Sequence, residues 1–212
     1  EIYGYEALVR WFHPVRGAVP PTVFIPVAEK IGLINALGEW VLKTACAEAA
    51  SWATPLKVSV NVSPIQLMNT SLTDTIIEVL HQTGLDPRRL DLEITESDVF
   101  NENTRSLEIL SQLRELGIQI SIDDFGTGYS SLSRLSYFPF DKIKIDRSFV
   151  INIPEQKDDL DIVRLIISMG KSLHMRIVAE GVETEEQLAS LQALGCDLVQ
   201  GYLIGKPSPL RS

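Results

Sequence analysis

Residues 118–124 read Ile-Gln-Ile-Ser-Ile-Asp-Asp, and residues 142–146 read Lys-Ile-Lys-Ile-Asp. Both are short, largely apolar runs that end in acidic side chains, and similar runs that end in an acid or an amide occur at 58–61, 90–93, 177–180 and 198–200. Helical patterns separate most of these runs, and strands that alternate with helices predict βαβ units in a parallel sheet. Polar residues at the ends of so many strands favour a closed barrel over an open sheet, which gathers its site at one switch point.

The wider pattern predicts seven strands, at 2–10, 57–61, 90–94, 118–123, 142–146, 176–180 and 197–201. Helices are predicted at 21–31, 35–52, 71–83, 103–116, 130–136, 158–173 and 185–194, with His13–Gly17 as a turn. Thr184 and Gln187 fit a capping box, so Glu185 and Glu186 are first-turn charges rather than ligands. A closed (β/α)8 barrel has eight strands, one more than the seven predicted here. We therefore expect a modified TIM barrel without its first strand and last helix.

Composition narrows the classes of function. The 212 residues, 45% of them apolar, suit one domain. Because the predicted strand count falls one short of a closed barrel, we expect this domain to be part of a longer multidomain protein. The net charge of −9 argues against DNA or RNA polymers as partners. Apolar stretches stay below roughly 18 residues and no signal peptide is evident, so we expect a cytoplasmic domain without membrane contact of its own. Cys46 and Cys196 are expected to be reduced, buried thiols.

The Asp123-Asp124 pair is the first candidate for metal chemistry. Neighbouring strand residues point to opposite faces, so both carboxylates reach one site only if the strand stops between them. One can then ligate a first cation while the other bridges to a second, as two-metal hydrolysis requires. The alternative is an acidic strand-to-helix turn in which Asp124 is solvated.

The alternation in residues 142–146 places Lys144 and Asp146 on one face of their strand. Inside a barrel, a buried lysine needs a carboxylate partner, and Asp146 is the candidate. Lys144 can then orient or deprotonate the attacking water, and orientation requires no large pKa shift. A solvent-facing edge strand would show the same alternation.

These residues stand in motifs that resemble the EAL-domain family of cyclic di-GMP phosphodiesterases. In chain order the motifs are Glu6-Ala7-Leu8 with Arg10, Asn61-Val62-Ser63, Glu93-Ile94-Thr95-Glu96, Asp123-Asp124-Phe125-Gly126-Thr127-Gly128-Tyr129, Lys144-Ile145-Asp146, Glu180-Gly181-Val182-Glu183 and Gln200-Gly201-Tyr202. The resemblance implies a barrel whose first strand runs antiparallel to the others, and hydrolysis of cyclic di-GMP to linear pGpG with two Mg²⁺ or Mn²⁺ ions. It also implies a homodimer.

The resemblance assigns roles by position. The implied metal ligands are Glu6, Asn61, Glu93, Asp123, Asp124, Asp146, Glu180 and Gln200. The catalytic group comprises Lys144, Glu6 and Glu180. Substrate contacts fall on Leu8, Arg10, Asp146 and Gln200. Glu96 supports the loop from Asp124 to Ser131, and Glu183 supports a neighbouring loop.

Two other functions remain open from the residues. A catalytically silent receptor would bind cyclic di-GMP and signal to attached domains, although no ligand of the motifs is replaced here. An acidic Mg²⁺ barrel with a lysine also suits enolase-type proton abstraction. The chemistry of the cyclic dinucleotide comes from the resemblance alone.

Overall fold

The computed structural model describes residues 1–96, 104–128, 135, 138 and 140–209. Apart from Leu135, the helix predicted at 130–136 lies outside the described residues. The chain forms two compact units, Glu1–Ile94 with Glu102–Gln119 and Thr95–Asn101 with Ile120–Ser212. The expectation of a single domain over residues 1–212 stays a prediction.

The first unit combines parallel strands with covering helices. Its elements are β1 (Gly4–Ala7), β2 (Trp11–His13), β3 (Gly17–Val19), α1 (Pro21–Lys30), α2 (Ile34–Ser51), β4 (Lys57–Asn61), α3 (Pro64–Leu67), α4 (Leu72–Thr83), a 3₁₀ turn (Pro87–Arg89), β5 (Leu90–Thr95) and α5 (Thr104–Glu115). Strand β4 pairs in parallel with β1 on one side and with β5 on the other.

Strands β2 and β3 form an antiparallel hairpin that the sequence pattern did not reveal. The predicted turn at 13–17 is its tip, where His13 Nδ1 accepts hydrogen bonds from the backbone N–H groups of Val15 (3.1 Å) and Arg16 (3.2 Å). Each strand has only three residues, which is too short for an alternating pattern to stand out.

The second unit repeats the strand-and-helix alternation. It contains β6 (Gln119–Phe125), β7 (Lys142–Ile145), α6 (Arg147–Val150), α7 (Lys157–Ser172), β8 (Arg176–Ala179), α8 (Glu185–Leu194) and β9 (Leu198–Val199). These strands run parallel in the order β6-β7-β8-β9. The predicted capping box begins α8, since Thr184 Oγ1 accepts from the Gln187 N–H and Gln187 Oε1 accepts from the Thr184 N–H.

Apolar burial explains why these segments become strands and helices. In the first unit, α2 turns Leu42, Ala45, Cys46 and Ala49 inward and packs on α4 and β4. In the second, α7 packs on β7 and β8 so closely that a Cβ on Gly170 would lie 2.1 Å from Ile177 Cδ1. Each buried aliphatic side chain contributes about 1.5–3 kcal/mol. The predicted α/β class is confirmed, since the residues that the structure describes include seven parallel strands that alternate with helices.

The helices and the two cysteines bear on two smaller expectations. Within the described ranges, no helix has both the length and the apolar character that a membrane crossing requires. Both cysteines are free thiols, but only Cys46 is buried, whereas Cys196 is half-buried. Burial raises the pKa of Cys46 to about 12 and that of Cys196 to about 11.

Candidate active site

In the first unit, three predicted ligands lie at the carboxyl ends of neighbouring strands. Asn61 ends β4 and is the register partner of Glu93 in β5. The Asn61 side-chain amide donates to Glu6 Oε1 over 2.8 Å, so the end of β4 is linked to β1. Glu93 is nearly buried, at 3% exposure, while Asn61 is exposed. Two carboxylates and an amide oxygen at one strand edge form a donor set that suits a hard divalent cation.

One pair on the same strands was missed by the sequence reading. Two residues before Asn61 and Glu93, Ser59 and Asp91 are register partners, and Ser59 Oγ donates to Asp91 Oδ2 over 3.1 Å. Asp91 is completely buried. The two-residue spacing places this pair on the same face as the predicted ligands, and that spacing is the signal by which it could have been found.

Leu8 and Arg10 lie just after β1 and are both exposed. Arg10 Nη1 donates to the backbone carbonyl of the adjacent Val9 over 3.0 Å. A ligand can therefore reach both side chains, as their predicted role in substrate binding requires.

In the second unit, Lys144 is held between two carboxylates. Its Nζ lies 2.7 Å from Glu180 Oε1 and 3.2 Å from Asp123 Oδ1. Lys144 is 2% exposed, and β7 lies between β6 and β8, so the edge-strand alternative is wrong. Asp146 was expected to pair with Lys144, but in the contacts described it caps α6 by accepting the Ser148 N–H over 2.9 Å. The ion pairs with Lys144 thus come from the neighbouring strands β6 and β8.

The carboxylates of Asp123 and Asp124 lie close together, but the backbone feature that allows this differs from the expected end of the strand. Strand β6 does not stop between them but continues to Phe125. Asp124 adopts a positive φ of 53°, and the pairing of β6 with β7 shifts register between Ile122 and Phe125. Aspartate tolerates this left-handed conformation better than most residues. The irregularity brings oxygens of Asp123, Asp124 and Glu180 within 4.8 Å of one another.

Three further predicted residues occupy equivalent positions in the second unit. The last residues of β7, β8 and β9 are register partners of one another, namely Ile145, Ala179 and Val199. The residues that directly follow them are Asp146, Glu180 and Gln200. The carboxyl ends of β7, β8 and β9 therefore present two carboxylates and an amide at one level. This repetition is the structural counterpart of the strand endings in the sequence.

The charge balance of this cluster suits a cation. Desolvation raises the pKa of Asp124, and the nearby carboxylates of Asp123 and Asp146 raise it further, while Lys144 opposes the shift. Close carboxylates disfavour each other's ionisation, and a divalent cation bound among them would relieve that repulsion. The all-oxygen donor set fits Mg²⁺ or Mn²⁺ better than a metal that prefers nitrogen or sulfur.

The two predicted supporting glutamates have different surroundings. Glu96, 2% exposed, accepts the Gly126 N–H at Oε2 over 2.8 Å. A Cβ on Gly128 would lie 2.8 Å from Glu96 Oε1, so the segment passes close against this carboxylate. The remainder of the loop to Ser131 lies outside the described residues. Glu183 forms an ion pair with Arg147 Nη2 over 2.8 Å, and both side chains are partly exposed.

The predicted ligands thus form two groups, one in each unit. Glu6, Asn61 and Glu93 belong to the first, and Asp123, Asp124, Asp146, Glu180 and Gln200 belong to the second. That both groups serve one cation pair stays a prediction from the sequence.

The chain is similar to known proteins over nearly its whole length. The EAL domain family model matches residues 1–207. The cyclic di-GMP phosphodiesterase NbdA of Pseudomonas aeruginosa is 45% identical over 214 residues, which cover 99% of this chain and 27% of NbdA. The bifunctional diguanylate cyclase/cyclic di-GMP phosphodiesterase MucR of the same organism is 45% identical over 97% of this chain and 31% of MucR. The chain therefore spans less than a third of these relatives.

Solved structures extend the likeness to the whole fold. The MucR phosphodiesterase in complex with c-di-GMP matches with a TM-score of 0.94 and 45% identity, over 99% of this chain and 86% of that one. The FimX EAL domain of P. aeruginosa bound to c-di-GMP matches with a TM-score of 0.90 and 27% identity, over 97% of this chain and 84% of that one. The predicted modified TIM-barrel class is confirmed by these matches.

Proposed function

The chain belongs to the EAL-domain family, and from this premise we propose that it hydrolyses one phosphodiester bond of cyclic di-GMP to give linear pGpG. The observation that carries the proposal is the setting of Lys144, a buried ammonium between Glu180 and Asp123, with Asp124 beside them. A phosphodiester resists attack by free water, so an enzyme must orient the water and offset the growing negative charge. This cluster contains side chains suited to both tasks.

Divalent cations complete the proposed site. Glu6, Asn61 and Glu93 would hold one in the first unit, and Asp123, Asp124, Asp146, Glu180 and Gln200 supply the ligands of the second unit. When bound, Mg²⁺ or Mn²⁺ supplies Lewis-acid stabilisation of the phosphoryl oxygens. The donor chemistry and the raised pKa of Asp124 support this requirement.

Lys144 contributes by donating hydrogen bonds. Two carboxylates within 3.2 Å favour the charged ammonium, which has donors but no lone pair. It therefore orients the attacking water and stabilises the negative charge that develops on the phosphoryl oxygens, and it does not accept the proton of the water. The carboxylates of Glu180 and Asp123 in turn fix the direction of the Lys144 side chain.

Substrate recognition is assigned to the exposed residues after β1. Arg10 can bind a phosphate oxygen through its guanidinium, because only a neighbouring backbone carbonyl is bonded to Nη1 within the described contacts. Leu8, 40% exposed, offers an apolar surface for a flat base. The predicted homodimer would be checked separately by light scattering.

Product analysis tests the proposal. The chain is incubated with cyclic di-GMP and Mn²⁺, and the nucleotides are separated by chromatography, with EDTA and Asp123→Asn as controls. We expect pGpG from the wild type and a loss of about 10²-fold or more in both controls. Binding of the nucleotide without pGpG would overturn the proposal in favour of the receptor alternative. The family relatives named as cyclic di-GMP phosphodiesterases provide no support for enolase-type chemistry.

A further inference from the structure

A hydrogen-bond chain connects α1 to the turn that follows Asn61. Ser63 Oγ donates to Glu29 Oε1 over 2.7 Å. Ser63 is also the N-cap of α3, and its Oγ accepts the Ile65 N–H over 3.2 Å. Glu29 and Ser63 are both half-buried. The sequence reading assigned Glu29 no role, because nothing in its local pattern distinguishes it from a solvated helix charge.

The turn carries a proposed metal ligand. Asn61 is the last residue of β4, two residues before Ser63, and its amide already donates to Glu6. On one side the turn is fixed by the Val62 N–H, which donates to the Glu93 carbonyl over 2.9 Å. On the other side its side-chain anchor is the Ser63–Glu29 bond. A hydrogen bond to a carboxylate is stronger than one between neutral groups, so this anchor resists displacement of the turn.

Helix α1 also braces the segment next to Arg10. Phe24 is buried on α1, and its ring lies edge-to-face against Trp11 with centroids 5.7 Å apart. Trp11 directly follows Arg10 in the chain. One helix therefore contacts both the segment after the predicted phosphate ligand and the turn after the predicted metal ligand.

We propose that Glu29 is a positioning residue for the metal site, acting through Ser63 on the turn that orients Asn61. The inference rests on the proposed function. Glu29 touches no reacting atom, so its effect is on cation affinity, and on turnover only through that affinity. Residues that support metal ligands from behind typically change affinity about 10–100-fold when removed.

Calorimetric titration with Mn²⁺ tests this role without relying on turnover. We expect Glu29→Ala to weaken Mn²⁺ binding about 10-fold, whereas Glu29→Gln, which keeps an acceptor oxygen, stays within about twofold of the wild type. Glu39→Ala removes an exposed acid from α2 and serves as the matched control. In a Ser63→Ala background, Glu29→Ala should cause no further loss, because the connection is already broken.

Failure of this inference is distinct from failure of the proposed function. Mn²⁺ affinity that is unchanged in a folded Glu29→Ala variant, or equal losses from Glu29→Ala and Glu39→Ala, would overturn the positioning role alone. A wild type that binds Mn²⁺ but forms no pGpG would overturn only the phosphodiesterase proposal. The effect of Glu29→Ala on Mn²⁺ affinity would then still decide the role of Glu29. A melting curve of each variant shows whether it is folded.

Discussion

Replacing Lys144 by methionine removes the buried ammonium while keeping most of the side-chain volume. Lys144 is 2% exposed, and its two carboxylate partners retain 12% and 17% side-chain exposure. Removing one member of a fully buried ion pair costs roughly 3–5 kcal/mol. Because residual exposure of Asp123 and Glu180 lets water screen the unpaired charges, we expect about 2–3 kcal/mol here.

That loss has a measurable thermal signature. For a chain of this size, one kcal/mol shifts the melting temperature by roughly 2–4 °C, so Lys144→Met should melt about 5–10 °C below the wild type in EDTA. Mn²⁺ should stabilise the variant at least as much as the wild type, because removal of a positive charge makes the carboxylate cluster more attractive to cations. Turnover of cyclic di-GMP should fall about 10²–10⁴-fold, the usual contribution of a group that assists the attacking water.

Lys142 provides a matched control within the same strand. It is also buried, at 4% exposure, and lies two residues before Lys144 on the same face of β7. Lys142→Met should lower the melting temperature to a similar extent and leave turnover within about tenfold of the wild type. Turnover of Lys144→Met within about threefold of the wild type, or equal losses of turnover in both variants, would refute the assigned role.

Three further predictions concern the second unit and the buried thiol. Asp124→Asn should raise the melting temperature in EDTA at pH 7.5 by about 1–2 °C. A carboxyl whose pKa is raised in the folded state destabilises the fold when it ionises, and asparagine also accepts the positive φ of this position. A lower melting temperature of the variant would contradict this reasoning. Burial raises the pKa of Cys46 to about 12, so this thiol should resist alkylation at pH 8 until guanidinium unfolds the chain. Peptide mass spectrometry measures the alkylation. Rapid labelling of the native protein would contradict this and show that the helix opens. Gly201→Ala should lower the free energy of unfolding, measured by urea titration, by about 2–4 kcal/mol, because the new Cβ would lie 2.1 Å from the Val182 carbonyl oxygen. Gly205→Ala should leave that free energy unchanged, because no atom lies within 4 Å of the Cβ position at Gly205. Equal stability of the two variants would contradict the predicted clash.

Burial of apolar periodic segments made the strands and helices predictable. The runs at 90–94 and 142–146 appear as β5 and β7 to within a residue, because their side chains have few alternatives to a sheet covered on both faces. The α8 capping box was readable because both partners lie within one helical turn. The β2–β3 hairpin was not, since its three-residue strands carry too little pattern.

The candidate ligands could be named from the sequence, whereas their partners in the folded chain could not. Acidic and amide residues at successive strand ends already indicated oxygen ligands for a divalent cation. Which carboxylates meet Lys144 depended on strand order and register, and these placed Glu180 and Asp123 against it while Asp146 capped a helix. Ion pairs form between groups that are close in space, and the separation along the chain between Lys144 and Glu180 gives no measure of that distance. For the same reason only the folded chain placed Glu29 beside Ser63, and this contact supplies the test of how the proposed metal ligand Asn61 is positioned.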